Sequence, residues 1–203
     1  MVRFLIPLAV CVAFLPLLAA QSRMAGRNSG PSPADRMEQK MARITEHHQR
    51  RQSGARGTQV TLLDEDEVNA WFQQRLGVRT PRGLSEIRLD LHPDRPSGTA
   101  MVDFEEVKAS SKKAVNPLLD RLLTGKQQLA VSGRFTSSAG NGTFSLEQVS
   151  IGGLTFRGFL LDLLLRHFVL PRYPQVVLDR PFPLPAGIDQ VVVEEGRARV
   201  IQR

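Results

Sequence analysis

The hydrophobic and polar residues of this chain alternate along much of its middle, and alternation predicts β-strands. In LSEIRLDLH, residues 84–92, the apolar Ile87, Leu89 and Leu91 point to one face and the charged residues to the other. A turn at residues 93–98, PDRPSG, separates this run from a second alternating run, TAMVDFEEV. The pattern is typical of an antiparallel hairpin with one face exposed to water.

Two further hairpins are predicted in the same way. One turns at residues 137–142, SSAGNG, and carries a bulge near Gln148; the other turns at Gly196. Their strands are predicted at residues 126–135 and 143–153, and at residues 189–195 and 198–202. Before the last hairpin, three alternate prolines limit backbone pairing, which favours an open sheet edge. They are Pro181, Pro183 and Pro185.

Helical spacing begins near the N-terminal end. Residues 35–52 carry a narrow stripe made of Met37, Met41, Ile44 and His48. Because the stripe is so thin, it predicts a partly exposed helix that docks weakly.

A second helix is predicted in TLLDEDEVNAWFQQRLG, residues 61–77. Asp64 is a suitable N-cap, and Glu67, three residues later, completes the spacing of a capping box. Gly77 ends the helix. Its predicted buried stripe consists of Val68, Trp71, Phe72 and Leu76. A short third helix is predicted in SKKAVNPLLDRLLTG, residues 111–125.

Residues 155–170 are apolar on nearly every side when they are wound as a helix. Only Asp162, Arg166 and His167 interrupt the run, and the first two share one face and can pair. The helix is about 24 Å long, which is shorter than a bilayer core. Three coverings of so broad an apolar surface stay open: a curled sheet, an oligomer interface, or an apolar ligand.

These elements predict an α+β fold in which a curved antiparallel sheet, built from hairpins, wraps around the apolar helix. The 203 residues are enough for one domain with a sizeable core.

The first twenty residues have the layout of a secretory signal peptide. Arg3 gives a basic start, residues 4–18 form a continuous apolar run, and small residues follow. An uncleaved anchor is the alternative, although Pro7 and Pro16 argue against it. The only cysteine, Cys11, lies inside this segment. Export of a protein without further cysteines favours the periplasm or cell envelope of a bacterium.

The net charge of +7 belongs mainly to a leader segment, residues 21–57. Eight basic and three acidic residues lie between Arg23 and Arg56, so residues 58–203, the predicted single domain, are nearly neutral. The leader is rich in Gly, Ser and Pro before its helix, which predicts flexibility. It is interpreted either as a solvated linker or as an arm for peripheral membrane contact. Nucleic-acid binding is disfavoured because the basic segment lacks interleaved aromatic residues.

Residues that carry catalytic or metal chemistry do not form a recognisable motif. The four histidines, His47, His48, His92 and His167, have no second ligand four residues away. HExxH, CxxC and GxSxG motifs are absent, and Gly125-Lys126 lacks the preceding glycine of a P-loop. The sequence therefore predicts a protein that is not an enzyme and that has no cofactor.

Two stretches carry a resemblance to a known superfamily: LLDEDEVNAWF, residues 62–72, and PFPLPAGIDQVVVEEGRARV, residues 181–200. With the alternating strands and the apolar helix, they resemble the small single-domain bacterial members of the tubular lipid-binding (TULIP-like) superfamily. The layout is similar to that of mycobacterial envelope proteins of the mannan-elongation type. The resemblance covers residues 58–203 and implies acyl chains held between a curved sheet and a helix, although the helix here is short for that fold.

The predicted function is therefore non-catalytic binding of a lipid or other apolar molecule in the envelope, in a groove between sheet and helix. The alternative is a scaffold protein that uses the apolar helix as a protein interface. Candidate groove residues are Trp71, Phe72, Phe104, Leu160, Leu161, Leu164 and Phe168. All of these are also ordinary core residues by type.

Overall fold

A computed structural model of the chain describes residues 30–75, 83–109, 123–166 and 178–203. These residues form an α+β fold, as predicted, with four helices and two antiparallel sheets. The helices are α1 (Pro33–Gln52), α2 (Glu65–Arg75), α3 (Phe104–Ala109) and α4 (Gly158–Leu164). The strands are β1 (Gln59–Asp64), β2 (Leu84–Asp90), β3 (Ser97–Asp103), β4 (Lys126–Ser138), β5 (Asn141–Ile151), β6 (Leu154–Phe156), β7 (Phe182–Pro183), β8 (Ile188–Glu194) and β9 (Arg197–Gln202).

The larger sheet has the order β2-β3-β4-β5-β6, with β7 paired to the start of β5. It contains both of the predicted internal hairpins, and it is not closed into a barrel. Ser132 pairs with Gln148 while Gly133 pairs with Leu146, so one residue of β5 bulges out where the bulge was predicted. Ala139 and Gly140 form the tight turn, both with positive φ, which suits the right-handed twist of the flanking strands.

The smaller sheet has the order β1-β9-β8 and contains the predicted third hairpin. Strand β1 pairs antiparallel with β9 from Gln59 to Asp64. The sequence did not predict this strand, because the acidic DEDE run begins at its last residue, Asp64, and is typical of a helix start. Successive residues of β1 face opposite sides, so that Thr61 is buried while Val60 and Leu62 are exposed.

Helix α1 packs more firmly than its sequence predicted. Ser32 caps the helix and forms a capping box with Asp35, and Ile44 is fully buried. The helix adds Met37 and Ile44 to a core that also contains Trp71 and Val200. The helix predicted to dock weakly therefore supplies part of the main core. The buried histidine on it is His47, whereas the predicted His48 is only partly buried.

A second core lies beneath α4, where side chains from β3, β4 and β5 meet the helix. Leu161 and Leu164 of the helix are buried against this set. The other fully packed members are Val102, Phe104, Leu123, Val131, Val149 and Ile151.

The apolar helix begins later than predicted. Residues Leu154–Phe156 pair with residues 149–151 of β5 as strand β6, and α4 starts only at Gly158. Gly152 and Gly153 both have positive φ and form the turn that reverses the chain. The predicted signal peptide, residues 111–122 of the third predicted helix, Leu76, His167 and the helix end at Leu170 lie outside the described residues.

Candidate functional site

Helix α4 has two different faces. Leu161 and Leu164 are buried in the core beneath it. Phe159, Leu160 and Leu163 are exposed to 77%, 54% and 40% of their full surface. Because residues three and four apart share one side of a helix, the exposed residues form a patch rather than scattered points.

The exposed patch continues onto the neighbouring strand. Leu154 of β6 is 50% exposed, and β6 contacts α4. We call Leu154, Phe159, Leu160 and Leu163 the apolar surface. The other exposed large hydrophobic residues in the described part of the chain are Val60 and Leu62 of β1.

Polar side chains frame the apolar surface. Arg157 donates through Nε to Gln148 Oε1 at 2.7 Å, immediately before the helix. The predicted ion pair is present, with Arg166 Nε 2.9 Å from Asp162 Oδ2, and both side chains are largely exposed. An apolar patch with a polar rim is the usual form of an interaction site.

The space between α4 and the sheet is filled by protein side chains. Leu161 and Leu164 pack there against Val149 and Ile151, each of which is nearly inaccessible to solvent. In the described part of the chain, the available apolar area therefore lies on the outward face of the helix and not underneath it.

The residues predicted to line a groove separate into three groups. Phe104, Leu161 and Leu164 meet in the core beneath α4. Trp71 belongs to the main core, with Phe72 packed against it. Of the two remaining residues, Leu160 lies on the apolar surface, and Phe168 lies outside the described residues.

The sequence did contain a signal for the exposed face. Asp162 and Arg166 pair on the solvent side, and Phe159 and Leu163 precede each of them by three residues. Helical geometry therefore places both apolar residues beside the ion pair and away from the core. Leu154 could not be assigned in this way, since its strand was not predicted.

A separate charged cluster joins α1 to α2. Glu67 is buried and accepts from Arg36 Nε at 2.8 Å and from Lys40 Nζ at 2.5 Å. Lys40 also pairs with Asp64 at 2.9 Å. Burial acts to lower the pKa of Lys40, but the hydrogen bonds to Glu67 and Asp64 outweigh it and raise that pKa above its ordinary value. Glu67 therefore fastens α1 to the fold, and does not serve as the capping-box residue that its spacing predicted.

The histidines of the described segments do not converge. His92 contacts the exposed Glu195 at 3.1 Å, His48 contacts Gln52 at 3.0 Å, and His47 is buried with its Nδ1 unpaired. In those segments no group of three or more His, Cys, Asp or Glu side chains is arranged to hold a metal ion.

Comparison with known proteins leaves the site to be interpreted from its own geometry. The chain matches no known protein family, no curated protein and no solved structure. Within the described residues, none of the helices combines the length and the apolar character that a membrane span requires.

Proposed function

We propose that this protein binds lipid in the bacterial cell envelope through the apolar surface on and beside α4. The observation that carries the proposal is the exposure of Phe159, Leu160, Leu163 and Leu154, four large apolar side chains on adjoining elements. Acyl chains are the class of ligand suited to a surface that offers area and few polar groups.

The expected affinity is that of reversible binding. Each large apolar side chain that is moved fully from water into a lipid environment contributes about 1.5–3 kcal/mol. The four residues are already partly covered, so their sum is comparable to that of a single acyl anchor, which binds membranes marginally. A second attractive contribution is therefore needed for stable attachment.

Basic side chains supply a candidate for that second contribution. Arg157 and Arg166 lie at the two ends of α4, each with a largely exposed side chain. Each basic residue near an anionic membrane contributes about 1 kcal/mol. The proposal therefore favours anionic lipids over neutral ones.

The proposed ligand belongs to the class predicted from the sequence, but its binding position differs from the predicted one. A groove between sheet and helix was expected, but the described residues fill that space with core side chains. Lipid instead contacts the outward face of α4. The signal-like first twenty residues support the same destination, since they are typical of exported proteins.

Co-flotation with lipid vesicles tests the proposal. The protein, produced from its full coding sequence, is mixed with vesicles that contain phosphatidylglycerol and separated on a density gradient. We expect wild type to float with the vesicles and Leu160→Gln to lose most of that binding. Val192→Gln is the control, because Val192 is a partly exposed apolar residue of β8 and lies away from both α4 and the β1 edge.

Two outcomes contradict the proposal. Wild type that stays at the bottom of the gradient with every vesicle composition shows that the apolar surface does not bind lipid. Equal losses in Leu160→Gln and Val192→Gln show that binding does not depend on α4. Vesicles of phosphatidylcholine alone are expected to bind less protein, which tests the contribution of the arginines.

A further inference from the structure

The outer edges of β2 and β8 are closed by side chains that imitate a neighbouring strand. At β2, the Asn69 amide donates to the Leu89 carbonyl at 2.8 Å and accepts from the Leu89 N–H at 2.7 Å. At β8, the Ser137 hydroxyl makes the same two contacts with the backbone of Val191, both at 2.7 Å. Such contacts satisfy the edge groups that would otherwise pair with another chain.

The outer edge of β1 has no comparable cover in the described segments. Its only strand partner there is β9, on the inner side. No side chain in those segments is hydrogen-bonded to the backbone of β1 from Val60 to Leu63. The outward apolar residues of this strand, Val60 and Leu62, are 53% and 42% exposed. An uncovered edge with exposed apolar side chains is a surface suited to strand addition.

We propose that β1 pairs antiparallel with β1 of a second copy of this chain, joining two three-stranded sheets into one sheet of six strands. A two-fold axis at Thr61 places Val60 of each copy opposite Leu62 of the other. Opposite residues in an antiparallel pair face the same side of the sheet. The side chains of Val60 and Leu62 therefore contact each other across the pair, twice, on the exposed face.

Charge at the two ends of β1 selects this orientation. The chain before the strand is basic, with Arg50, Arg51 and Arg56 exposed, and the chain after it is acidic, with Glu65 and Asp66. An antiparallel pair sets the basic end of each strand beside the acidic end of the other. A parallel pair sets like charges together, which is unfavourable. A symmetric contact of this kind closes as a dimer and does not extend into a fibre.

Sedimentation velocity over a concentration series tests the proposal in solution. Wild type, produced from its full coding sequence, is expected to sediment as a dimer that dissociates on dilution. Leu62→Lys places two charges in the centre of the contact and is expected to raise the dissociation constant at least tenfold. The control is Val192→Lys on β8, which shares the outer face of the small sheet but lies away from the β1 edge.

Each departure from this result overturns the proposal. A wild type that stays monomeric at every concentration has no such dimer. A dimer lost in Val192→Lys and Leu62→Lys alike joins through the sheet face and not through the edge. A dimer lost only in Leu160→Lys joins through the apolar surface on α4. Circular dichroism confirms that each variant is folded.

The register is tested by cross-linking, in a Cys11→Ser background. Val60→Cys mixed with Leu62→Cys is expected to form a disulfide between copies under mild oxidation, because the axis brings these two exposed positions directly opposite each other. Either variant alone is expected to cross-link much less, since its counterpart lies diagonally across the pair. Cross-linking of either variant alone that is as efficient as that of the mixture overturns the proposed register.

Discussion

At the scale of single residues, Glu67 links two helices, a role that no pattern in the sequence indicates. Its side chain is buried and accepts from Arg36 and Lys40, both of which belong to α1. A buried carboxylate is tolerated when charged donors surround it, and its removal leaves those donors without a partner. Glu67 therefore adds a buried ion cluster to the apolar contacts of Met37 and Ile44 that attach α1 to the main core.

Glu67→Gln is expected to lower the free energy of unfolding by about 2 kcal/mol, because a neutral amide replaces a charge that two cations share. Urea denaturation at neutral pH measures the change. Asp66→Asn, an exposed position on the same helix, is the control and is expected to unfold almost as wild type does.

The same ion cluster predicts a dependence on alkaline pH. The pKa of Lys40 is raised above its ordinary value of 10.5 when the protein folds. Its contribution is therefore complete below pH 10.5 and is lost as the pH rises through the folded pKa. In Glu67→Gln this alkaline loss is expected to be smaller, since Lys40 has lost its nearest partner. If Glu67→Gln and wild type have equal free energies of unfolding at neutral pH and again above pH 10.5, this role of Glu67 is contradicted.

At the scale of elements, side chains of α2 close the edge of β2. The amide of Asn69 holds both backbone groups of Leu89, so the helix and the sheet edge are joined without a further strand. Glu65, on the same helix, accepts from the Leu91 N–H at 2.7 Å and extends the contact.

Asn69→Ala is expected to lower the free energy of unfolding by about 2–3 kcal/mol, since it leaves a buried N–H and a buried C=O unpaired. Hydrogen exchange provides a local test. The Leu89 amide should lose its protection, while Gln73→Ala, on the exposed side of the same helix, should leave it unchanged. Undiminished protection of Leu89 in Asn69→Ala contradicts the proposed edge contact.

The hairpins were predictable because their information is local. Alternation, turn residues and the bulge near Gln148 all lie within about ten residues of each other, and the structure confirms all three hairpins. The exception is residues 104–107, which were predicted to continue the strand and instead begin α3. Strand β6 was missed because LTF runs directly into the apolar helix, with Gly152 and Gly153 as the only sign of a reversal. The partners of Glu67 are 27 and 31 residues away, so local spacing instead indicated a cap.

The sequence indicated that the candidate site is apolar, but it identified only some of the residues that form it. Apolar character identified Leu160, but also Trp71 and Leu161, which the fold buries in two different cores. Hydrophobicity alone does not distinguish a buried leucine from an exposed one, because the side chain is the same in both places and only the fold decides its burial. The deciding information is the helix start at Gly158, which fixes which side of α4 meets the sheet.

At the scale of the whole molecule, the two proposals use separate surfaces. The main core, with α1 and α2, supports the small sheet whose β1 edge is proposed to join a second copy. The second core supports α4 from beneath and presents its outward side. Lipid binding and dimerisation can therefore fail independently, and loss of one in a variant does not imply loss of the other.

Lipid binding is tested directly by a fluorophore placed on the apolar surface itself. Wild type has a single tryptophan, Trp71, which is buried in the main core and is expected to emit unchanged when vesicles are added. In Phe159→Trp, we expect a blue-shifted emission with anionic vesicles and quenching by brominated acyl chains. An emission of Phe159→Trp that is the same with and without vesicles, or a shift no larger than that of Val192→Trp, contradicts lipid binding at this surface.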